Sequence, residues 1–121
     1  MEVLEMLKEQ LNIEGCEFEE IKSEILRISG IFEREGIEIN AQFQIGLYSH
    51  IVSFIRRMTT SEKIEPIDEN ILSEIDGNSI ELAKDIANPI FNKYKANEDM
   101  SEIMLISIHV QTIKAMCRGG E

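Results

Sequence analysis

The sequence predicts an all-α fold, a compact bundle of five to six helices, on three observations. Apolar residues recur at steps of three and four along nearly the whole chain, the period of one helix face. The abundant isoleucines are separated by Glu, Lys and Ser at helical spacing and do not alternate as they would in a strand. Polar and turn-forming clusters punctuate these stretches, with no long linker and no internal repeat.

Val3, Leu4, Leu7 and Leu11 outline a short opening helix that ends between Asn12 and Gly15. From Glu17 to Glu35 a longer helix presents Phe18, Ile21, Ile25, Ile28, Ile31 and Phe32, and Gly36 supplies its left-handed stop. Asn40 is a good N-cap for the next helix, which should run to about Met58 or Thr59. Its stripe of Phe43, Leu47, Ile51, Phe54 and Met58, flanked by Tyr48, Val52 and Ile55, is broad enough to be buried on more than one side. Thr59 to Glu62 ends it, and Pro66 marks a connection.

Asp68 can cap a short helix through Ile75, closed by the turn cluster Asp76-Gly77-Asn78. A helix from Ser79 onward turns Ile80, Leu82, Ala83, Ile86, Ala87, Ile90, Phe91 and Tyr94 inward. Pro89 lies within that pattern and predicts a kink, since a proline in a straight helix costs about 3 kcal/mol. Asn97 to Ser101 is a polar break with Asp99 or Ser101 as the cap. The last helix carries Ile103, Ile106, Val110, Ile113 and Cys117 on one stripe and stops at Gly119-Gly120.

The length of 121 residues suits one domain, read as residues 17–121 with residues 1–16 as a short helical extension. Twelve basic against 23 acidic side chains leave a net charge of −11, which argues against nucleic acid as a direct partner. The only adjacent basic pair is Arg56-Arg57. Residues 1–38 alone hold eleven acidic and four basic side chains, a net −7 that reads as a solvated outer face, with an acidic docking surface as the alternative. No apolar stretch approaches the roughly 18–20 residues of a membrane span, and the chain opens on an acidic Met1-Glu2. Cys16 and Cys117 stand far apart with no CxxC; the pattern leaves one disulfide open but favours two reduced thiols in a cytoplasmic protein.

Few residues could carry chemistry. His50 and His109 are the only two histidines, the one side-chain type that titrates near neutrality unperturbed. His50 lies seven residues after Phe43 and four before Phe54, on the core-facing side of its helix. His109 stands at the edge of the Ile106–Val110 stripe. Two boundary histidines with hydrogen-bond partners would satisfy this pattern without any further role. Metal binding is disfavoured, because helical ligand pairs want a spacing of three or four and the nearest carboxylate before His109 is Glu102, seven back. No GxSxG and no Gly-rich phosphate loop supports hydrolytic or nucleotide chemistry, so no enzyme, cofactor or metal is predicted.

A neutral imidazole can, however, accept a phosphoryl group, placing a charge near −2 where the surroundings had been apolar. Arg57 lies two turns beyond His50, a rise of roughly 10 Å, too far for a comfortable contact along one helix. It should instead meet a histidine or carboxylate on another helix or subunit.

Two segments carry a family resemblance. The first is Leu47-Tyr48-Ser49-His50-Ile51-Val52-Ser53-Phe54-Ile55-Arg56-Arg57, with Leu three before the histidine and Arg seven after it. The second is Glu102-Ile103-Met104-Leu105-Ile106-Ser107-Ile108-His109-Val110, with Glu seven before the histidine. In that order they resemble the PTS regulation domain (PRD), the phosphorylatable helical module of bacterial sugar-operon antiterminators and activators. The resemblance spans about residues 20–117 and sets both histidines on the family's two phosphorylation positions. It implies His50 and His109 as phosphoacceptors and Arg57 and Glu102 as neighbours that sense the charge. It also implies the phosphocarrier HPr or an enzyme IIB component as donor, and a homodimer. The family's regulators usually carry a basic nucleic-acid-binding module and two copies of the domain; here there is one copy. Output would then pass through a separate transcription regulator or the dimer state. The competing reading is a structural adaptor whose histidines never carry phosphate.

Overall fold

The computed structural model describes the backbone of residues 2–119 and the side chains of residues 3–116. It contains α1 (Glu2–Gln10), α2 (Gly15–Arg34), α3 (Ala41–Thr60), a 3₁₀ helix (Glu69–Glu74), α4 (Gly77–Lys93) and α5 (Met100–Gly119). No strand occurs among the described residues, and no helix there is long and apolar enough to cross a membrane. The fold is the all-α bundle that the periodicity predicts. The chain divides into two units, residues 1–53 and 54–121, with α3 contributing to both.

In the first unit the buried positions of α2 are Ile21, Glu24, Ile25, Ile28, Ile31 and Phe32, the expected stripe with one carboxylate added and Phe18 only half-buried. Glu24 accepts a hydrogen bond from Arg27 Nε at 3.3 Å, one turn along the same helix. Leu47, Tyr48, Ile51 and Val52 are fully buried on the part of α3 that belongs here. Asn40 caps α3 through a 3.0 Å bond from the Phe43 amide to its Oδ1. The Tyr48 hydroxyl is hydrogen-bonded to Ser29, though burial is the stronger influence and raises its pKa.

In the second unit α4 and α5 pack against each other. Leu82, Ala83, Ile86, Ala87, Ile90 and Phe91 of α4 are buried, as are Ile103, Met104, Ile106, Val110 and Ile113 of α5. Phe54 and Phe91 meet edge to face with ring centroids 5.1 Å apart. Cys117, assigned to the α5 stripe from sequence, has its side chain outside the described residues, as does the Gly120 half of the terminal stop. Cys16 is an exposed free thiol.

The structure corrects one detail of the expected elements. α4 begins at Gly77, two residues before Ser79, because Asp76 is its N-cap and not the middle of a closing turn. Asp76 Oδ1 accepts the Ser79 amide at 2.7 Å, and Oδ2 accepts the Ser79 hydroxyl at 2.9 Å. The helix continues past Pro89 to Lys93. Pro89 and Asp85, the residue whose carbonyl forgoes an amide at that step, are both on the exposed face. Water can therefore reach the carbonyl that proline leaves behind.

Four helices end on a left-handed residue that folds the chain back. The Gly36 amide bonds to Glu33 O and the Ile37 amide to Phe32 O, the paired pattern of a Schellman end, with Gly36 at φ 70°. Asn12, Ser61 and Lys95 occupy the same position after α1, α3 and α4, at φ between 53° and 59°. In each of them the following amide reaches the helix five residues back, at 2.8–3.0 Å.

Candidate functional site

Arg57, in the last turn of α3, and Glu102, in the first turn of α5, belong to the second unit and are joined there. Arg57 Nε donates to Glu102 Oε2 and Nη2 donates to Oε1, each at 2.7 Å. This is the two-pronged guanidinium–carboxylate geometry that gives the strongest side-chain hydrogen bonds. The Glu102 side chain is fully buried and that of Arg57 is 18% exposed. Of the partners expected for Arg57, a histidine or a carboxylate on another helix or subunit, the structure gives the carboxylate of Glu102 on α5.

The turn that presents Glu102 is built by Asp99, whose Oδ1 accepts the Ser101 amide at 2.9 Å and caps α5. The Ser101 side chain is left to other work: its Oγ accepts the Ile67 amide at 2.9 Å, fastening the segment between α3 and the 3₁₀ helix. Beside the pair lies a cleft of about 520 Å³, bounded by Glu62, Lys63 and Ile64 on one side and Tyr94, Asn97 and Glu98 on another.

His109 stands on α5 two turns after Glu102, and the spacing of seven returns it to nearly the same helix face. Its imidazole is half-buried, and desolvation lowers its pKa below the ordinary 6.5. His50 belongs to the first unit. It is half-buried on α3, and its Nε2 is shielded from solvent. A phosphoryl group arriving at His50 would thus need Nδ1 or a local opening that brings Nε2 out.

A second cluster escaped the sequence reading. Lys114 Nζ on α5 donates to Asp76 Oδ1 at 2.9 Å and to Asn78 Oδ1 at 2.8 Å. Gln111 Oε1 accepts the Asp76 amide at 2.7 Å. Desolvation pulls the Asp76 pKa upward, but the hydrogen bonds from Lys114 and Ser79 and the Lys114 charge outweigh it and hold the carboxyl below its usual range. The only sequence signal for this cluster is that Gln111 and Lys114 are three apart, on one side of α5. No group of three or more His, Cys, Asp or Glu among the described residues is placed to hold a metal ion.

Comparison with known proteins bears on what this site belongs to. The family model for the PRD domain matches residues 25–113. The fold is similar to that in the crystal structure of a PRD-containing transcription regulator from Lactobacillus casei ATCC 334. The TM-score is 0.78 at 16% identity, over 94% of this chain and 93% of that one. No curated protein matches the chain. With the family model spanning most of its length, the chain belongs to the PRD domain family.

Proposed function

We propose that this PRD domain is a regulatory module, not an enzyme, whose state is set by phosphorylation of His50 and His109. HPr or a sugar-specific enzyme IIB component donates the phosphoryl group. The signal passes through a homodimer or to a separate transcription regulator, in the cytoplasm. The observation that carries this reading is the spacing of the charged pair from the histidines along α3 and α5. The chain's only two histidines each lie seven residues from one member of the Arg57–Glu102 fork, on helices that the fork would stiffen. A dianionic phosphoryl group brought to Arg57 from another helix or subunit competes with Glu102 for it and repels the buried carboxylate. Such a differential interaction is what a population shift between two packings requires.

The test is phosphotransfer from phosphoenolpyruvate through enzyme I and HPr, with and without an enzyme IIB, read by intact mass and acid lability. One or two acid-labile phosphoryl groups are expected, lost one by one in His50→Ala and His109→Ala. No gain under any donor overturns the proposal. The burial of both imidazoles favours a second reading, a structural adaptor with neutral histidines. That reading predicts no phosphotransfer and a partner affinity unchanged by either substitution.

A further inference from the structure

The segment from Ser61 to Asp68, which joins α3 to the 3₁₀ helix, is mostly exposed, with only Ile64 and Ile67 half-buried. So little apolar burial leaves its position to a few hydrogen bonds. At one end the Glu62 amide donates to the carbonyl of Arg57 at 2.9 Å. At the other the Ile67 amide donates to Ser101 Oγ at 2.9 Å. The two anchors are themselves tied, because Arg57 grips Glu102, the residue after Ser101, through two 2.7 Å bonds. The contacts thus form a closed ring: Arg57 to Glu102, one backbone step to Ser101, across to Ile67, along the strap to Glu62, and back to Arg57.

We infer that residues 61–68 are a strap latched by the Arg57–Glu102 fork, and that breaking the fork releases the strap and opens the neighbouring cleft. Ser101 and Glu102 are consecutive in the first turn of α5 and are both buried. Asp99 caps that turn, so its two side chains shift together. Drawing Arg57 off the carboxylate leaves a buried charge with its main counter-ion gone, and Glu102 must then move toward water. A first turn that moves carries Ser101 with it, and the Ile67 amide loses its acceptor. The strap supplies Glu62, Lys63, Ile64 and Pro66 to the wall of the 520 Å³ cleft, so its release widens that cleft toward solvent. The natural trigger, a phosphoryl group competing for Arg57, rests on the function proposed above; the mechanical coupling does not.

Amide hydrogen exchange on the full chain, with no phosphodonor present, tests the coupling by itself. Ser101→Ala should speed exchange at Ile67 by at least about tenfold, reporting the pin directly. Glu102→Gln and, separately, Arg57→Lys should speed exchange at the Glu62 and Ile67 amides by a similar factor while the Ile86 and Val110 amides hold their protection. Arg57→Lys keeps the positive charge and loses only the fork, so it remains informative if the glutamine variant folds poorly. Unchanged exchange at Ile67 in Ser101→Ala overturns the inference. So does exchange that rises evenly from residue 54 to 119 in both fork variants, since that would be global loosening without a latch. The phosphotransfer assay and this one fail independently.

Discussion

Arg57 and Glu102 form a buried fork in which both carboxylate oxygens are held at 2.7 Å and the carboxylate has no exposed surface. Such a pair is worth far more as a pair than either half alone. Arg57→Ala strands a charge in the interior and should cost about 3–5 kcal/mol of stability. The double variant Arg57→Met with Glu102→Leu removes both charges and should recover most of that loss. Urea denaturation of the single and double variants measures the difference. A single variant no worse than the double would mean that the carboxylate finds water when its partner is gone.

The capping cluster at the start of α4 makes stability depend on acid. The Asp76 carboxyl has a folded pKa below its unfolded one, held there against desolvation by Lys114 and Ser79. Its contribution is therefore present above the unfolded value of roughly 3.9 and is lost as pH falls through the folded value. Asp76→Ala should destabilise by about 1 kcal/mol at pH 7, the ordinary worth of an N-cap, and should flatten the stability profile below pH 4. Chemical denaturation of both proteins between pH 2.5 and pH 7 checks the pair of expectations.

His109 works in the same direction at milder pH. Burial lowers its folded pKa below 6.5, so the unfolded chain binds a proton first. Stability should be intact above about pH 6.5 and fall as pH drops toward the folded value. His109→Gln cannot titrate and should abolish that slope, read as the difference in urea midpoint between pH 8 and pH 5.5. A slope that survives the substitution would show that His109 is not its source.

Lys95 ends α4 in the left-handed region at φ 54°, a conformation that L-residues with a side chain adopt at a cost. Lys95→Gly should stabilise the domain by about 1 kcal/mol, less the entropy that glycine adds to the unfolded chain. The same exchange at Gly36 in reverse, Gly36→Lys, should destabilise by a similar amount. Thermal melts of the two variants, which move in opposite directions if the argument holds, decide it.

The helices were legible in the sequence because their determinants are local. The stripe from Ile21 to Phe32, the Asn40 cap and the Gly36 stop are each read within a few residues, and each appears in the structure. The start of α4 was misread because Asp-Gly-Asn has two local uses, a turn and a cap with its first helical turn. Lys114, 38 residues away, tips that balance by bonding to Asp76. The Arg57–Glu102 fork was half legible: the need of Arg57 for a distant carboxylate followed from helix geometry, while its partner across 45 residues did not. Ser101 was read as a cap candidate and holds Ile67 instead, since Asp99 had already satisfied the turn. Side chains that bind across the chain leave no periodic trace.

The two tyrosines fall one to each unit: Tyr48, buried beside Ser29, in the first, and Tyr94, at the cleft, in the second. The chain has no tryptophan to mask them. Its near-ultraviolet signal is thus split between two intrinsic reporters in different surroundings. Tyr48→Phe and Tyr94→Phe would each silence one unit, and the melting of the two halves could then be followed separately without attaching a dye.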